Sequence, residues 1–492
     1  MPKKDNHQLH GDLSNEKPSL LISLLAIIQV QQETIEALTH EVAELKARIN
    51  KNPQNSGMPP SSQGYVRPTP NPRSEREKTN KNSGGQPGHR GTNLQAALDD
   101  MEPNQPPVML MPEHCTGCAQ YEECLHAAKQ CGSRRVYDAK MVTEVTDYNA
   151  MEVCCPKDGA CYRGEFPEWL KGVHQYGPNL MGLIVALNVR GAVPLHTLAQ
   201  IIGDLFGIPI SEGTVYSIVK RFNGIISATV EEIKRRLLQG VLCHFDGTGM
   251  RLAGKLVWLL VLCTDKLTWI GYSLKGKSAA AMRKLGVDNF HGIAVHDCLA
   301  TYWLVKEISE HAVCCEHILR ELRGVQEQST AKMWPWASFM RGFLKRAHKK
   351  VLEAKDKGMS ALPAEVVEKM DCMYRRLVQQ GYSNLPPDPP QRGKGRQKHS
   401  DMYNLVRRLD IRQKEVCRFY HDFRVPFTNN QAERDLRVTK TKSKVIGTFR
   451  CEDGMAGYMN ATSFISTGLK NGHSIMESIM GAITGSPGIV LS

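Results

Sequence analysis

The 492-residue sequence predicts a multidomain α/β protein, and three observations support this fold class. Five short apolar segments between residues 241 and 315 have the length and composition of β-strands. The second and third of them flank a short turn and form a hairpin, which gives a meander with the first. Stretches with helical periodicity precede and follow these strands. Together they predict a mixed sheet layered with helices.

Composition favours a nucleic-acid partner. The net charge is +13 and the isoelectric point is about 9.0. Lys and Arg side chains neutralise phosphates, although a membrane surface or solubility alone would use the same charge. No segment reaches the roughly 20 apolar residues of a membrane helix, and the apolar stretch after Lys4 lacks a signal-peptide cleavage site. We therefore expect a cytoplasmic protein without a membrane partner.

The first predicted domain, residues 1–51, carries a heptad pattern of apolar residues. Branched residues in one series and Leu in a second series, three residues later, favour a parallel two-stranded coiled coil and hence a homodimer. The alternative is a single amphipathic helix packed on its own domain. The first series is Leu21, Ile28, Ile35, Val42 and Ile49, and the second is Leu24, Gln31, Leu38 and Leu45.

The next three regions differ sharply in composition. Residues 52–98 are rich in Pro, Ser, Asn, Gly and basic residues, which predicts a linker that is either a DNA-tracking arm or a solvated spacer. Residues 99–170 contain clustered cysteines, which indicates metal binding rather than disulfides. Residues 171–235 are predicted to be helical, and Ser211 is a suitable N-cap within a helix-turn-helix pattern. That pattern fits either a DNA-binding motif or two packed core helices.

Two aspartates end predicted strands. Asp246 ends the strand at 241–246, and Asp297 ends the strand at 293–297. Strand ends in open α/β sheets hold ligands, and carboxylates there can share Mg²⁺, which prefers oxygen ligands. Two such ions would stabilise the attacking and leaving oxygens of a phosphoryl transfer. Taken singly, Asp246 also fits a turn before Gly247, and Asp297 also fits a helix cap.

The segment at 427–444 supplies a third carboxylate. Asn429 or Asn430 would cap a helix that contains Glu433, and Arg437 lies four residues later on the same face. Basic residues around Glu433 are expected to hold DNA beside a metal-binding carboxylate, and a solvated charged helix is the alternative. The predicted DNA-binding residues are Asn430, Arg434, Arg437, Lys440, Lys442 and Lys444.

These segments together resemble the insertion sequence 66 family of transposases along nearly the whole chain. N-N-Q-A-E-R-D-L-R (429–437) resembles the family's block with the catalytic glutamate, and H-F-D-G-T-G (244–249) and V-H-D-C-L-A-T-Y-W (295–303) resemble its aspartate blocks. C-C-E-H-I-L-R (314–320) resembles its C-x-x-H-x-x-R stretch, in which we expect Cys314 and His317 to pack near the active face, with a part in a metal or DNA site as the alternative. The coiled coil, residues 55–62 and G-G-Q-P-G-H-R-G (84–91) resemble its N-terminal parts.

The resemblance implies an RNase H-like catalytic domain over 236–445, with a helical insertion at about 325–420, followed by a helical region over 446–492. Its catalytic triad would be Asp246, Asp297 and Glu433, which would bind Mg²⁺ or Mn²⁺. The implied activity is cleavage at transposon ends and strand transfer into target DNA, with accessory proteins of the same element, in the bacterial nucleoid. Gly247 departs from the family, which commonly has an acidic residue there.

The resemblance also implies that residues 99–170 form a zinc-binding module. The second knuckle is irregular because Asp158 stands where a cysteine is expected. The best ligand set for Zn²⁺ is Cys115, Cys118, Cys155 and Cys161. Other candidate ligands are Cys154, Cys124, Cys131 and His114. Two alternative functions are a non-catalytic, zinc-containing DNA-binding regulator and a structure-selective nuclease of the same fold.

Overall fold

The structure, a computed structural model, describes most of the chain from residue 102 onward and part of the N-terminal region. The described residues are 24–35, 38, 42, 45, 102–104, 106–115, 117–167, 170, 172–328, 333–385 and 399–492. The predicted linker at 52–98, the heptad positions Leu21 and Ile49, and the basic loop at 386–398 lie outside them. Contacts divide the chain into two units, one of Met1–Glu75, Ala150–Gln200 and Ile210–Ser492, the other of Arg76–Asn149 and Ile201–Pro209.

The described heptad positions are helical and exposed. Residues 24–35 form a helix, and residues 38, 42 and 45 are also helical. Leu24, Ile28 and Ile35 are 49%, 53% and 62% exposed, although apolar side chains favour burial. Among the described residues, none of the helices combines the length and the apolar character that crossing a membrane requires.

A five-stranded mixed sheet organises the larger unit, and a two-stranded hairpin precedes it. The strands are β1 (Glu152–Cys154), β2 (Cys161–Arg163), β3 (Leu242–Leu252), β4 (Lys255–Cys263), β5 (Thr268–Ser273), β6 (Ile293–His296) and β7 (Glu310–Val313). The strands of the five-stranded sheet run in the order β5-β4-β3-β6-β7, with β3, β4 and β5 antiparallel and β3, β6 and β7 parallel. The predicted hairpin, β4 and β5, and the mixed character of the sheet are thereby confirmed.

Helices precede and follow the strands of this sheet along the chain, and they contribute most of the remaining core residues. Short α1 belongs to the smaller unit. The helices are α1 (Tyr121–Ala127), α2 (Pro178–Val189), α3 (Leu195–Phe206), α4 (Glu212–Leu238), α5 (Ala279–Lys284), α6 (Cys315–Gln328), α7 (Met333–Asp356), α8 (Ala364–Ser383), α9 (Asp401–Ile411), α10 (Gln413–His421), α11 (Asn430–Ile446), α12 (Glu452–Lys470) and α13 (Ile475–Ile483).

Strand β3 extends beyond the apolar segment that predicted it. It continues through Gly247 to Leu252 and pairs with β4 from His244 to Leu252. A Cβ atom at Gly247 would lie 2.2 Å from the ring of Trp258, so the glycine lets the indole lie directly on the strand. The turn predicted as an alternative for Asp246 and Gly247 is therefore wrong.

Helix α4 begins at the predicted N-cap, and one face of it is buried in the core. The Ser211 hydroxyl accepts a hydrogen bond from the Thr214 N–H at 3.1 Å, which confirms this N-cap. Val215, Ile218 and Phe222 are buried, and the ring of Phe222 meets that of Phe464 edge-on at 5.9 Å. The apolar face of α4 packs against α12.

The segment between β7 and α11 is helical, as predicted for the insertion. Helices α6 to α10 share a core in which Trp336 is fully buried and its Nε1 donates to the Leu377 carbonyl at 2.7 Å. The Tyr374 hydroxyl donates to the Leu409 carbonyl at 2.8 Å. Paired polar atoms inside an apolar cluster fix how these helices are arranged.

Helix α12 is fastened to β5 by side-chain hydroxyls. The Ile270 N–H donates to the Ser463 hydroxyl at 2.9 Å, and the Thr268 N–H donates to the Thr467 hydroxyl at 3.1 Å. Asp435 of α11 joins the same assembly, because its Oδ2 accepts from Lys470 Nζ at 2.6 Å. This largely buried ion pair ties α11 and α12 together beside the sheet.

Candidate active site

The sheet register brings the two predicted aspartates to the same level. Strands β3 and β6 are parallel, with Cys243 opposite Ala294 and His244 opposite Val295. The same register continued by two residues would set Asp246 level with Asp297, and Asp297 is close enough to raise the pKa of Asp246. Asp297 follows the end of β6, whereas Asp246 lies within β3 and pairs with Val261 of β4, so the prediction that Asp246 ends its strand is wrong.

The environment of Asp246 opposes its charged form. Burial raises the pKa of Asp246 to about 7, and the neighbouring carboxylates of Asp297 and Glu433 act in the same direction. A hydrogen bond from the Gly247 N–H, at 2.8 Å, and the positive charge of Lys440 act in the opposite direction. Burial and the neighbouring carboxylates therefore outweigh the hydrogen bond and Lys440.

Asp297 is in a similar position. Burial raises the pKa of Asp297, while the Leu299 N–H, which donates to its Oδ1 at 3.1 Å, and Lys277 lower it. Glu433 again raises it. The hydrogen bond to Leu299 is a local turn contact, and the short helix Ala300–Leu304 that follows has Leu299 at its N-cap position without a side-chain cap, so the alternative of Asp297 as a helix cap is wrong.

Asn429 connects the helix of Glu433 to the strand of Asp246. It is 1% exposed and occupies the N-cap position of α11, but its side chain makes no capping hydrogen bond. Instead, its Nδ2 donates to the Phe245 carbonyl at 2.8 Å, and its Oδ1 lies 2.7 Å from Nδ1 of His244. The predicted capping contact is therefore wrong for Asn429, whose side chain fixes the start of α11 next to Asp246.

The C-x-x-H-x-x-R stretch contacts the same helix start. The Asn429 N–H lies 3.1 Å from Cys314 Sγ and donates to it. His317 Nε2 and Arg320 Nη2 lie 3.9 Å and 3.7 Å from Oε1 of Glu433. Cys314 and His317 thus pack beside the carboxylates, and Arg320 joins them, a contact that sequence reasoning missed. The sequence feature that could have indicated this contact is the i, i+3 spacing of His317 and Arg320, which puts both on one helix face.

Most of the predicted DNA-binding residues of α11 are accessible. Arg434, Arg437 and Lys444 are exposed, and Asn430 and Lys440 are half-buried. Lys440 is close enough to Asp246 to affect its pKa. The exposed cations therefore continue along the helix from the carboxylate site.

Lys442 is an exception, and its predicted role in DNA binding is wrong. It is 3% exposed, and its Nζ donates to the Asn188 carbonyl at 2.7 Å. The same Nζ lies 5.5 Å from the ring of Tyr458. Ala432, Leu436, Thr439 and Lys442 form the buried stripe of α11, so position 442 faces the protein rather than solvent.

The predicted zinc ligands lie in separate local structures. In the smaller unit, the Cys118 N–H donates to the Cys115 carbonyl at 3.2 Å, around Gly117 with φ of 81°. In the larger unit, the Cys155 N–H donates to the Ala160 carbonyl at 2.8 Å, in the turn between β1 and β2.

Cys161 is bonded to Cys154 in a disulfide, contrary to its predicted role as a thiolate ligand. The two cysteines are direct partners in the register of β1 and β2, so their side chains project to the same side. Cys115, Cys118, Cys155, Cys124 and Cys131 are free thiols.

No three His, Cys, Asp or Glu side chains in the described part of the chain are grouped closely enough to hold a metal ion. This includes the carboxylate site, where Asp246 lies within β3, Asp297 follows β6, and Glu433 lies beside His317 and Arg320. The donor set nevertheless suits a hard divalent cation, because all three groups are carboxylates and two of them have raised pKa values.

Comparison with known proteins gives a family assignment for the region that contains the site. Residues 174–457, which are more than half of the chain and include all three carboxylates, match the family described as Transposase IS66 family. Residues 10–95 match a family of unknown function, DUF6444. No curated protein matches the sequence.

Proposed function

The chain belongs to the IS66 family of transposases, and from this premise we propose that it cuts DNA at transposon ends and joins them to target DNA. Asp246, Asp297 and Glu433 would be its catalytic carboxylates. The observation that carries the proposal is the register of β3 and β6, which brings the aspartates together beside the helix of Glu433. We propose that the mixed sheet, with its meander followed by two parallel strands, is an RNase H-like core.

The three carboxylates would hold Mg²⁺ or Mn²⁺. Bringing buried like charges together raises their pKa values, and a divalent cation would offset this repulsion. When bound, such ions favour phosphoryl transfer by stabilising charge on the attacking and leaving oxygens. The protein's own part is to fix the positions of the carboxylates, which Asn429 supports by bonding the start of α11 to β3.

The cations near the site would hold the DNA backbone. Arg434, Arg437 and Lys444 are exposed on α11, and Lys277 and Lys440 lie within electrostatic range of the aspartates. Contacts of this kind position DNA through its phosphates without reading sequence. The partners would be transposon-end DNA and target DNA in the nucleoid, together with accessory proteins of the same element.

A second copy of the chain would pair with the N-terminal helix. The exposed apolar side chains of Leu24, Ile28 and Ile35 follow the heptad spacing, and pairing two such helices would bury them. A homodimer would hold two active sites in one complex, one for each end of a mobile element.

Strand transfer with purified protein, Mg²⁺, a labelled element end and target DNA tests the proposal. We expect D246N, D297N and E433Q to bind the end DNA but neither cut nor join it. Asp265, exposed in the turn between β4 and β5, offers a matched control, and D265N should act like wild type. Full activity in E433Q would refute the proposal. Cutting without joining by wild type would instead indicate a nuclease.

A further inference from the structure

Two side chains of α6 face one oxygen of Glu433. His317 Nε2 is 3.9 Å and Arg320 Nη2 is 3.7 Å from Oε1, the same oxygen in both cases. The side chains of His317 and Arg320 are 18% and 16% exposed, and that of Glu433 is 32% exposed. These contacts are therefore shielded from solvent, which strengthens electrostatic interactions relative to a surface pair.

The remaining ring nitrogen of His317 defines which tautomer this arrangement favours. Its Nδ1 is buried and has no hydrogen-bond partner among the described residues. A buried N–H without an acceptor is rarer in proteins than an acceptor without a donor. The proton therefore belongs on Nε2, where it points to Glu433, and Nδ1 is the bare acceptor.

We infer that His317 and Arg320 are positioning residues that hold Oε1 of Glu433 and leave Oε2 to face the two aspartates. This inference rests on the proposed function. Separations of 3.7 and 3.9 Å exceed a hydrogen bond, so both contacts would shorten when the site is filled. Cys314 and Asn429 support the arrangement, because their contact holds the end of β7 against the start of α11.

The alternative is that both residues only fill space beneath the helix. Packing and hydrogen bonding differ in how they respond to conservative substitutions at position 317. The amide nitrogen of Gln reaches about as far as Nε2 of His, whereas the amide of Asn reaches only about as far as Nδ1. H317Q would therefore keep a donor from position 317 near Oε1, and H317N would be polar but would leave Arg320 as the remaining one of the two donors that face this oxygen.

Binding of Mn²⁺ to the full-length protein without DNA, followed by electron paramagnetic resonance, gives a readout that is independent of catalysis. We expect H317N to weaken Mn²⁺ binding about 10- to 100-fold, the range for residues that orient metal ligands, and H317Q to stay within about threefold of wild type. R320Q should weaken binding in the same way. The matched control is H421N, because His421 Nε2 contacts Asp371 Oδ1 at 3.0 Å in the helical insertion.

The same variants are then compared in strand transfer. Weak binding and joining in H317N, restored in H317Q, would support the inference. Equal binding by H317N and wild type, or equal losses in H317N and H317Q, would overturn it. If H317N does not fold, R320Q takes its place: weaker Mn²⁺ binding than wild type would support the inference, and equal binding would overturn it. If wild type binds Mn²⁺ but never joins DNA, the proposed function fails, while the effect of H317N on Mn²⁺ binding still tests the inference.

Discussion

Replacing Asn429 by Ala should loosen the start of α11 from the sheet. The side chain donates to the Phe245 carbonyl at 2.8 Å, so its Oδ1 must accept from the ring of His244 at 2.7 Å. Burial lowers the pKa of His244, and the contact with the Asn429 oxygen assigns a proton to Nδ1 of the ring. In N429A both partners stay buried and lose a hydrogen bond.

The expected magnitude follows from those two partners. A buried polar group left without its partner costs about 1–3 kcal/mol, so with two such partners N429A should lower the free energy of unfolding by roughly 2–6 kcal/mol. The start of α11 would also move, and because Glu433 lies one turn later, we expect strand transfer to fall by more than about tenfold.

Urea denaturation, followed by tryptophan fluorescence, measures the first effect. N430A is the matched control, because Asn430 is the neighbouring residue of the same type but is half-buried. Its free energy of unfolding should stay within about 0.5 kcal/mol of wild type, as is usual for substitutions away from buried networks. The reasoning is refuted if N429A and N430A unfold at the same urea concentration.

Three further predictions concern α11 and β3. K444Q should reduce the salt dependence of DNA binding by about one phosphate contact, whereas K442M should leave it unchanged, as measured by titrations at several salt concentrations. G247A should destabilise the protein by about 1–3 kcal/mol in thermal unfolding because its Cβ would meet the Trp258 ring at 2.2 Å, and W258L in the same chain should restore stability. Burial lowers the pKa of Lys442 to about 8, below about 10.4 in the unfolded chain. Unfolding therefore takes up protons between these two pH values. The free energy of unfolding of wild type should rise by up to about 3 kcal/mol relative to that of K442M as pH increases through this window. Parallel plots of unfolding free energy against pH for the two proteins would contradict this.

Strand-end reasoning was right for Asp297, which directly follows β6, and wrong for Asp246, which lies within β3. The apolar segments before Asp246 and Asp297 are central strands, and sequence alone predicts that a polar residue at their ends leaves the core. The length of β3 was missed because Gly247 usually indicates a turn. Its reason lies in Trp258, which only the pairing with β4 brings onto the glycine.

The environment of Glu433 was less predictable because its contacts are distant in sequence. Asn429 was correctly placed at the helix start, but its hydrogen bonds go to residues 184 and 185 positions earlier. Lys442 could have been identified as buried, since it continues the apolar stripe of α11, but a charged residue normally predicts exposure. The disulfide of Cys154 and Cys161 depends on the register of a short hairpin, which the cysteine spacing does not define.

The hydroxyl contacts of α12 also bear on how safely the protein can be shortened. Strand β5 is the last strand on its side of the sheet, and exposed backbone donors on such a strand can recruit a strand from another molecule. Ser463 and Thr467 occupy the donors of Ile270 and Thr268. A copy of the gene interrupted before residue 452 would therefore encode all three carboxylates but leave an open edge, and its product should aggregate.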